Sequence, residues 1–152
     1  MKLSYLFAPT IVVLFISCGQ RAGTDQNLTL AKRQIQSDTL CFERISGSQK
    51  RDTASICMII DGDKVTGRYE NIPFEKDARK GTIAGTKNDD TIIGKWVYWQ
   101  EGMQDSINFA FKLQNNLLLQ RETTYNEAGK EVLTATASFS LGFKKTDCNK
   151  NQ

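Results

Sequence analysis

The chain of 152 residues contains no histidine. Histidine is the usual general base of serine and cysteine hydrolases, a ligand of the common zinc sites, and the side chain that titrates near neutral pH. Its absence therefore excludes Ser-His-Asp and Cys-His catalysis, the HExxH zinc site and a histidine-based pH switch. The glycines also form no GxGxxG fingerprint or phosphate-binding loop. We expect a protein that is not an enzyme and that has no catalytic residues, no cofactor and no metal site.

A stripe of basic residues is missing as well. The formal net charge is +3, and the lysines and arginines are interleaved with acidic residues. Nucleic-acid-binding domains concentrate positive charge on one face and carry recognisable motifs. The sequence therefore predicts no nucleic-acid partner.

Long hydrophobic runs are absent apart from one at the start of the chain. Residues 3–16 are almost uninterrupted apolar residues and follow the positively charged Lys2. This run is shorter than the roughly 20 residues that span a bilayer. Its length and flanks are those of a signal-peptide core, so we expect residues 1–17 to be a leader.

The leader ends in Phe15-Ile16-Ser17-Cys18-Gly19, which resembles the lipobox of bacterial lipoproteins. The resemblance implies that Cys18 becomes the acylated first residue and that a lipid anchor holds the protein to the membrane. The residues that follow are mostly polar, so we expect residues 18–39 to be the lipidated cysteine and a polar tether. Because Gly19 and not aspartate follows the cysteine, similarity to Gram-negative lipoproteins implies the outer membrane, on its periplasmic or surface face. The alternatives are an ordinary leader with a fortuitous cysteine and a retained anchor helix.

Three cysteines are left once Cys18 is assigned to lipid, and thiols outside the cytoplasm tend to pair. Cys41 and Cys148 lie at the two ends of the folded region, so we predict a Cys41–Cys148 disulfide that closes a long loop. Such a loop stabilises by roughly 4–5 kcal/mol in the chain-entropy description. Cys57 would then be a small buried hydrophobic residue. The alternatives are a Cys41–Cys57 disulfide and a reactive Cys57.

Helix signals are scarce, and period-two alternation with turn residues dominates from Leu40 onward. The pattern predicts eight strands, at residues 40–45, 54–60, 65–70, 81–86, 92–99, 106–113, 117–125 and 132–143. Short turns such as Asp61-Gly62 and Glu101-Gly102 favour an all-β, antiparallel, up-and-down meander. Closure would remove its two edges, so we expect residues 40–152 to form a small closed barrel. A two-sheet β-sandwich is the alternative.

Aromatic residues are few, and one cluster suggests a ligand site. Alternation places Trp96 and Tyr98 on one face of a strand and Trp99 on the other, so one set points into the barrel. An eight-stranded barrel can hold one small molecule, so the inward set is a candidate ligand wall. The rhythm of residues 65–69, residues 81–85 and Trp96 is similar to avidin- and lipocalin-type barrels, but no biotin-contacting set is matched. Core packing is the alternative interpretation of the same residues.

The acidic residues Glu75, Asp77 and Glu101 could serve a carboxylate-based hydrolase. Charged loops are more often simply solvated, so this is the weaker interpretation. We expect a membrane-anchored envelope lipoprotein that binds a small molecule or an envelope protein. The alternative is an envelope structural or assembly component whose barrel is filled.

Overall fold

Eight antiparallel strands close into an up-and-down barrel in the computed structural model, which describes residues 38–151. The barrel strands are β1 (Asp38–Ser46), β2 (Asp52–Asp61), β3 (Lys64–Ile72), β4 (Arg79–Asn88), β5 (Thr91–Gln100), β6 (Met103–Gln114), β7 (Leu117–Arg121) and β10 (Phe139–Thr146). A separate hairpin consists of β8 (Thr123–Tyr125) and β9 (Glu131–Leu133). The predicted barrel is confirmed, and the sandwich alternative is wrong, because β1 pairs with β10 and thereby closes the sheet.

Helical structure in the described residues is limited to two single 3₁₀ turns, Ser48–Lys50 and Cys148–Asn151. Within that part of the chain, no helix has the length and apolar character needed to cross a membrane. The predicted leader, Cys18 and most of the predicted tether lie outside the described residues. β1 begins at Asp38, two residues before the predicted start at Leu40.

Alternation along the strands decides which side chains fill the barrel. On β6, Ile107, Phe109 and Phe111 are buried, as the pattern predicts, and Leu113 packs against them. The core cluster comprises Phe42, Ala54, Ile56, Met58, Val65, Tyr69, Ile83, Ile92, Trp96, Tyr98, Ile107, Phe109, Phe111, Leu118 and Phe143. An eight-stranded barrel is just wide enough for side chains to fill it. Large rings from five strands occupy that space here.

Gly94 makes room for one of these rings. A Cβ at this position would lie 2.8 Å from Phe109 Cζ and 2.6 Å from the Cα of Gly85 on β4. Both distances are shorter than real Cβ contacts, so only glycine allows β4 and β5 to approach this closely while the Phe109 ring lies beside them.

The two ends of the barrel differ in what they carry. At one end, which we call the entry end, β1 begins at Asp38 and the turns at residues 62–63, 89–90 and 115–116 connect strands. At the opposite end, the far end, the chain makes its longer connections, at residues 47–51 and 73–78, together with the short turn at 101–102. The β8–β9 hairpin also belongs to the far end, since it joins β7 to β10 there.

The prediction of two continuous strands at residues 117–125 and 132–143 is wrong. The chain leaves the barrel at Glu122, forms the β8–β9 hairpin, and re-enters at Phe139. Asn126 stabilises the hairpin turn, because its side-chain oxygen accepts hydrogen bonds from the backbone N–H of Ala128 (3.1 Å) and Lys130 (2.9 Å). Two of the alternating apolar residues in 133–137 are alanines. Alanine side chains bury little apolar surface, so this segment would gain little free energy by joining the barrel wall.

Replacing Phe111 by alanine tests the filled interior. Phe111 is fully buried, so Phe111→Ala should lower the free energy of unfolding by about 3–5 kcal/mol through lost apolar contact and a residual cavity. Ile93 lies outward on β5 and is 59% exposed, so Ile93→Ala should change stability by less than about 0.5 kcal/mol. Urea unfolding followed by tryptophan fluorescence measures both values. Equal losses in the two variants would contradict the assignment of inner and outer faces.

Candidate functional site

The predicted aromatic cluster forms the centre of a stack inside the barrel. The rings of Tyr69 and Trp96 stack with centroids 4.1 Å apart, and those of Trp96 and Tyr98 lie 4.5 Å apart. Phe111 and Phe143 meet the Tyr69 ring edge-on at 6.2 and 6.1 Å. These are the favourable offset and T-shaped arrangements of aromatic pairs, so the rings contact one another closely.

Two polar groups of this stack, the Trp96 indole and the Tyr69 hydroxyl, have partners within the protein. The indole N–H of Trp96 donates to the carbonyl oxygen of Tyr69 at 3.1 Å. The Tyr69 hydroxyl donates to Gln120 Oε1 at 2.9 Å. Burial raises the pKa of Tyr69 to about 12, although the hydrogen bond with Gln120 acts in the opposite direction. Tyr69 is therefore a neutral hydrogen-bond donor that joins the aromatic stack to the rim of the barrel.

An ion pair closes the far end above the stack. Arg79 on β4 contacts Glu131 on β9 at 2.6 Å, and its Nε donates to Gln100 Oε1 at 2.8 Å. The hydroxyl of Thr123 donates to the second oxygen of Glu131 at 2.5 Å. Burial alone would lower the pKa of Arg79, but the hydrogen bond and the charge of Glu131 raise it above its usual value. The Arg79–Glu131 contact therefore fastens the β8–β9 hairpin to the barrel wall, and the Thr123–Glu131 bond joins the two strands of the hairpin.

A small polar cavity remains between the ion pair and the aromatic stack. Its volume is about 120 Å³. Its polar lining includes Arg44, Asn71, Asn108 and Gln120, together with the ion pair. Ligand pockets usually enclose about 300–1,000 Å³. The cavity is large enough for a few water molecules, not for a lipocalin-sized ligand.

The three residues of the predicted ligand wall do not lie together. Trp96 and Tyr98 are inside the barrel and 4% exposed each, whereas Trp99 is on the outer face and 56% exposed. The predicted split between the two faces is confirmed. Ligand binding by these residues stays a prediction.

The three acidic candidates lie in connections at the far end. Glu75 and Asp77 are exposed in the loop between β3 and β4, and Glu101 is exposed in the β5–β6 turn. Both Glu75 and Glu101 have positive φ angles, of 57° and 50°, and therefore occupy turn conformations. Hydrolysis by these carboxylates stays a prediction.

The three cysteines of the described chain come together on the outer wall of the barrel. Cys41 Sγ is placed at bonding distance from both Cys57 and Cys148, and all three sulfur atoms lie within 4.8 Å of one another. The expectation that Cys57 is buried in the core is wrong, because its side chain is half-buried on the outer face beside Cys41. Three thiolates at this spacing could also ligate a soft metal ion. The predicted Cys41–Cys148 pairing remains one of two alternatives.

The rim of the site was not predicted from the sequence. Arg79 and Glu131 are 52 residues apart, and Tyr69 and Gln120 are 51 apart. The sequence does contain one signal for this rim. Arg79 is an even number of residues from the buried Ile83 on β4, so both side chains lie on the inner face of the strand. A partner for an inward arginine was therefore required, but alternation does not identify which acidic residue supplies it.

The buried Tyr69 predicts a loss of stability in alkali. Between its ordinary pKa of 10.0 and about 12, the unfolded chain releases the phenol proton while the folded chain retains it, so the free energy of unfolding falls as pH rises. Burial also raises the pKa of Tyr98, so Tyr69→Phe should reduce this slope without abolishing it. At neutral pH the variant should lose about 1 kcal/mol with its hydrogen bond. Urea unfolding across the alkaline range measures both effects.

Tyr125→Phe is the matched control for this experiment. Tyr125 is 67% exposed, and its substitution should leave the alkaline slope unchanged. A slope that Tyr69→Phe does not alter would contradict the assigned burial of the Tyr69 hydroxyl.

Comparison with known proteins identifies no relative of this chain. No protein-family model, curated protein or solved structure matches the chain.

Proposed function

We propose that this protein is a non-enzymatic, lipid-anchored binding module of the bacterial cell envelope. In this proposal its partner is another envelope protein, and the contact surface is the far end of the barrel. The single observation that carries the proposal is the concentration of exposed large hydrophobic side chains at that end.

The filled interior argues against a calyx for a small ligand. Tyr69, Trp96 and Tyr98 contact one another directly, and the space left above them is about 120 Å³. A lipocalin-like or avidin-like function would need several times this volume. Contacts made by the outer surface are therefore the better-supported mode of action.

The exposed hydrophobic side chains are distributed unevenly. Among the described residues, three lie towards the entry end: Ile59, Ile93 and Leu117. Six lie towards the far end: Ile45, Ile72, Phe74, Trp99, Met103 and Tyr125. Aromatic residues and methionine are enriched in protein interfaces and dominate their binding energy. The far-end set includes three aromatic residues and a methionine, which is the composition of such a surface.

The far end also has a defined shape. The guanidinium of Arg51 lies 3.1 Å from the centroid of the Phe74 ring, and the backbone N–H of Phe74 donates to Asp52 at 2.7 Å. These contacts tie the β1–β2 connection to the β3–β4 loop. Together the two connections border an open cleft of about 470 Å³. A surface held by such contacts loses less conformational entropy on binding than a free loop would.

The proposed anchor would attach to the chain on the entry-end side of the barrel sequence. The lipobox at Cys18 supports acylation there, and β1 begins 20 residues later at the entry end. The far end is the opposite end of a wall whose strands are about 10 residues long, which corresponds to about 25 Å along a tilted barrel. In the proposed arrangement the far end points away from the lipid and towards a partner.

Site-specific photocrosslinking tests the proposed contact surface. A photoreactive amino acid at Trp99 should give a discrete crosslinked protein in intact envelopes, because this position lies in the proposed interface. The same substitution at Ile93 is the matched control, since it lies on the same strand and face with similar exposure (59% against 56%) but at the entry end. Mass spectrometry of the product identifies the partner.

The companion variants extend this test. Met103→Ala combined with Tyr125→Ala should weaken the crosslink from position 99, whereas Leu117→Ala should not. A crosslink from position 93 alone would contradict the far-end assignment. A small molecule released on denaturation in native mass spectrometry, without any crosslink, would favour the ligand-binding alternative.

Replacing Cys18 tests the anchor. In cells fed an alkyne analogue of palmitate, the wild-type protein should incorporate the label and sediment with the outer membrane. Cys18→Ser should abolish labelling and release the protein from the membrane, because acyl chains provide stable attachment. Labelling that persists in Cys18→Ser, or sedimentation of the wild type with the inner membrane, would contradict the proposed location.

A further inference from the structure

The three clustered cysteines lie on two adjacent strands and on the turn that follows the last strand. Cys41 on β1 is directly opposite Cys57 on β2, with their Cα atoms 4.2 Å apart. Cys148 follows β10, two residues after Thr146, which pairs with Cys41 on the other side. The Cα atoms of Cys41 and Cys148 are 5.1 Å apart. Both separations are in or close to the range that disulfide bonds bridge.

One sulfur atom forms one disulfide, so Cys41 cannot be bonded to both partners at once. Whichever partner is left has a thiol within 4.8 Å of the existing bond. A thiolate next to a disulfide is the reactant of thiol–disulfide exchange. We propose that Cys41, Cys57 and Cys148 form an intramolecular thiol–disulfide exchange site in which Cys41 is the shared sulfur.

The exchange step needs no external oxidant or reductant. When Cys41 is bonded to Cys148, the thiolate of Cys57 attacks Cys41 Sγ and forms the Cys41–Cys57 bond. The Cys41–Cys148 bond breaks, and Cys148 leaves as a thiolate that takes up a proton from water. The reverse step restores the first bond, with one disulfide and one thiol on each side of the equation.

The surroundings of the site favour this chemistry. Arg68 on β3 is directly opposite Cys57 and on the same outer face, so the two side chains are cross-strand neighbours, and the carboxylates of Glu43 and Glu70 border the same surface. A neighbouring cation favours the thiolate, which is the reactive form. Cys57, Cys148 and Arg68 border a surface cleft of about 240 Å³, whereas Cys41 is only 1% exposed. The two exchanging thiols are thus reachable from solvent, and the shared sulfur is covered.

The exchange changes what holds the barrel closed. β1 and β10 are joined by three residue pairs, against nine for β1 and β2. A Cys41–Cys148 bond links the two strands of this short seam, whereas a Cys41–Cys57 bond links strands that are already well paired. The site therefore adds or removes a covalent lock on the closure of the barrel, and this consequence does not depend on the proposed function.

Two labelling regimes test the proposal on the full-length protein in detergent. The protein is reduced, reoxidised with oxidised glutathione, freed of glutathione, and divided. One portion is quenched in acid before its thiols are labelled, and the other is incubated with iodoacetamide at about pH 8, close to the ordinary thiol pKa of about 8.5. Non-reducing peptide mapping then identifies the disulfides, and it resolves the Cys18 peptide separately.

The acid-quenched portion should contain both Cys41–Cys57 and Cys41–Cys148, each with the complementary free thiol. Prolonged alkylation should shift the ratio of the two alkylated products away from the acid-quenched ratio and towards the thiol that reacts faster, because exchange regenerates that thiol as it is consumed. A single disulfide in both regimes would overturn the proposal. So would a dimer linked through the odd cysteine, or three reduced thiols that hold zinc or copper after reoxidation.

Two variants isolate the alternative bonds. Cys57→Ser leaves only the Cys41–Cys148 bond, and Cys148→Ser leaves only Cys41–Cys57, so each should resist iodoacetamide. The first variant should have the higher midpoint of urea unfolding, since its bond spans 107 residues and not 16. Addition of a reductant should remove this difference. Equal midpoints before reduction would overturn the assigned lock on the seam.

Arg68 is a positioning residue in this site, and the pH dependence of the exchange rate tests its role. Arg68→Gln should slow exchange several-fold near neutral pH, but the difference should vanish above the thiol pKa, where the thiolate forms without help. Arg68→Lys should restore the rate, because it retains the charge. An equal loss at every pH would show that Arg68 acts only through packing.

Discussion

Pairing of the first barrel strand with the last is the constraint on which the rest of this structure depends. The β1–β10 seam converts an eight-stranded meander into a closed wall, and it does so with only three residue pairs. Closure gives every strand an inner face, and the inner faces supply the aromatic stack. It also brings Cys148 to Cys41 across 107 positions of sequence. The enclosed core and the approach of Cys148 to Cys41 both follow from that short seam.

A barrel of this size has little interior to spare, and this protein fills it with rings. In the stack of Tyr69, Trp96 and Tyr98, the indole and the Tyr69 hydroxyl have partners within the barrel. The Arg79–Glu131 ion pair then covers the far end and holds the β8–β9 hairpin in place. In the function proposed above, recognition takes place on the outer surface, where hydrophobic side chains concentrate around the far-end connections. The cysteine site lies on the outer wall towards the entry end, so the two surfaces are separable by mutation.

Much of the fold was predictable because a half-buried strand has a period of two, and that period is written in the residues themselves. The eight-strand barrel, the inward Phe109 and Phe111, and the opposite faces of Trp96 and Trp99 were all expected on this basis. The errors arose where a pattern was regular but weak. Residues 133–137 alternate cleanly, yet their alanines bury too little surface to hold the segment in the wall. Cys57 was expected in the core because its neighbours in the sequence are apolar. Alternation along β2 nevertheless places its side chain on the outer face, beside that of Cys41.

The sequence by itself determined most of the strands, the inner and outer faces of most of their residues and the lack of histidine, because each is a local property of composition or period. The tertiary structure alone decided which residues meet. Tyr69 with Gln120, Arg79 with Glu131, and Cys41 with two competing cysteines are contacts between positions brought together by strand register and closure. Register depends on the summed fit of all the strands around the barrel, so it is absent from any single segment. The candidate site was therefore visible as residue types in the sequence, and its geometry only in the closed barrel.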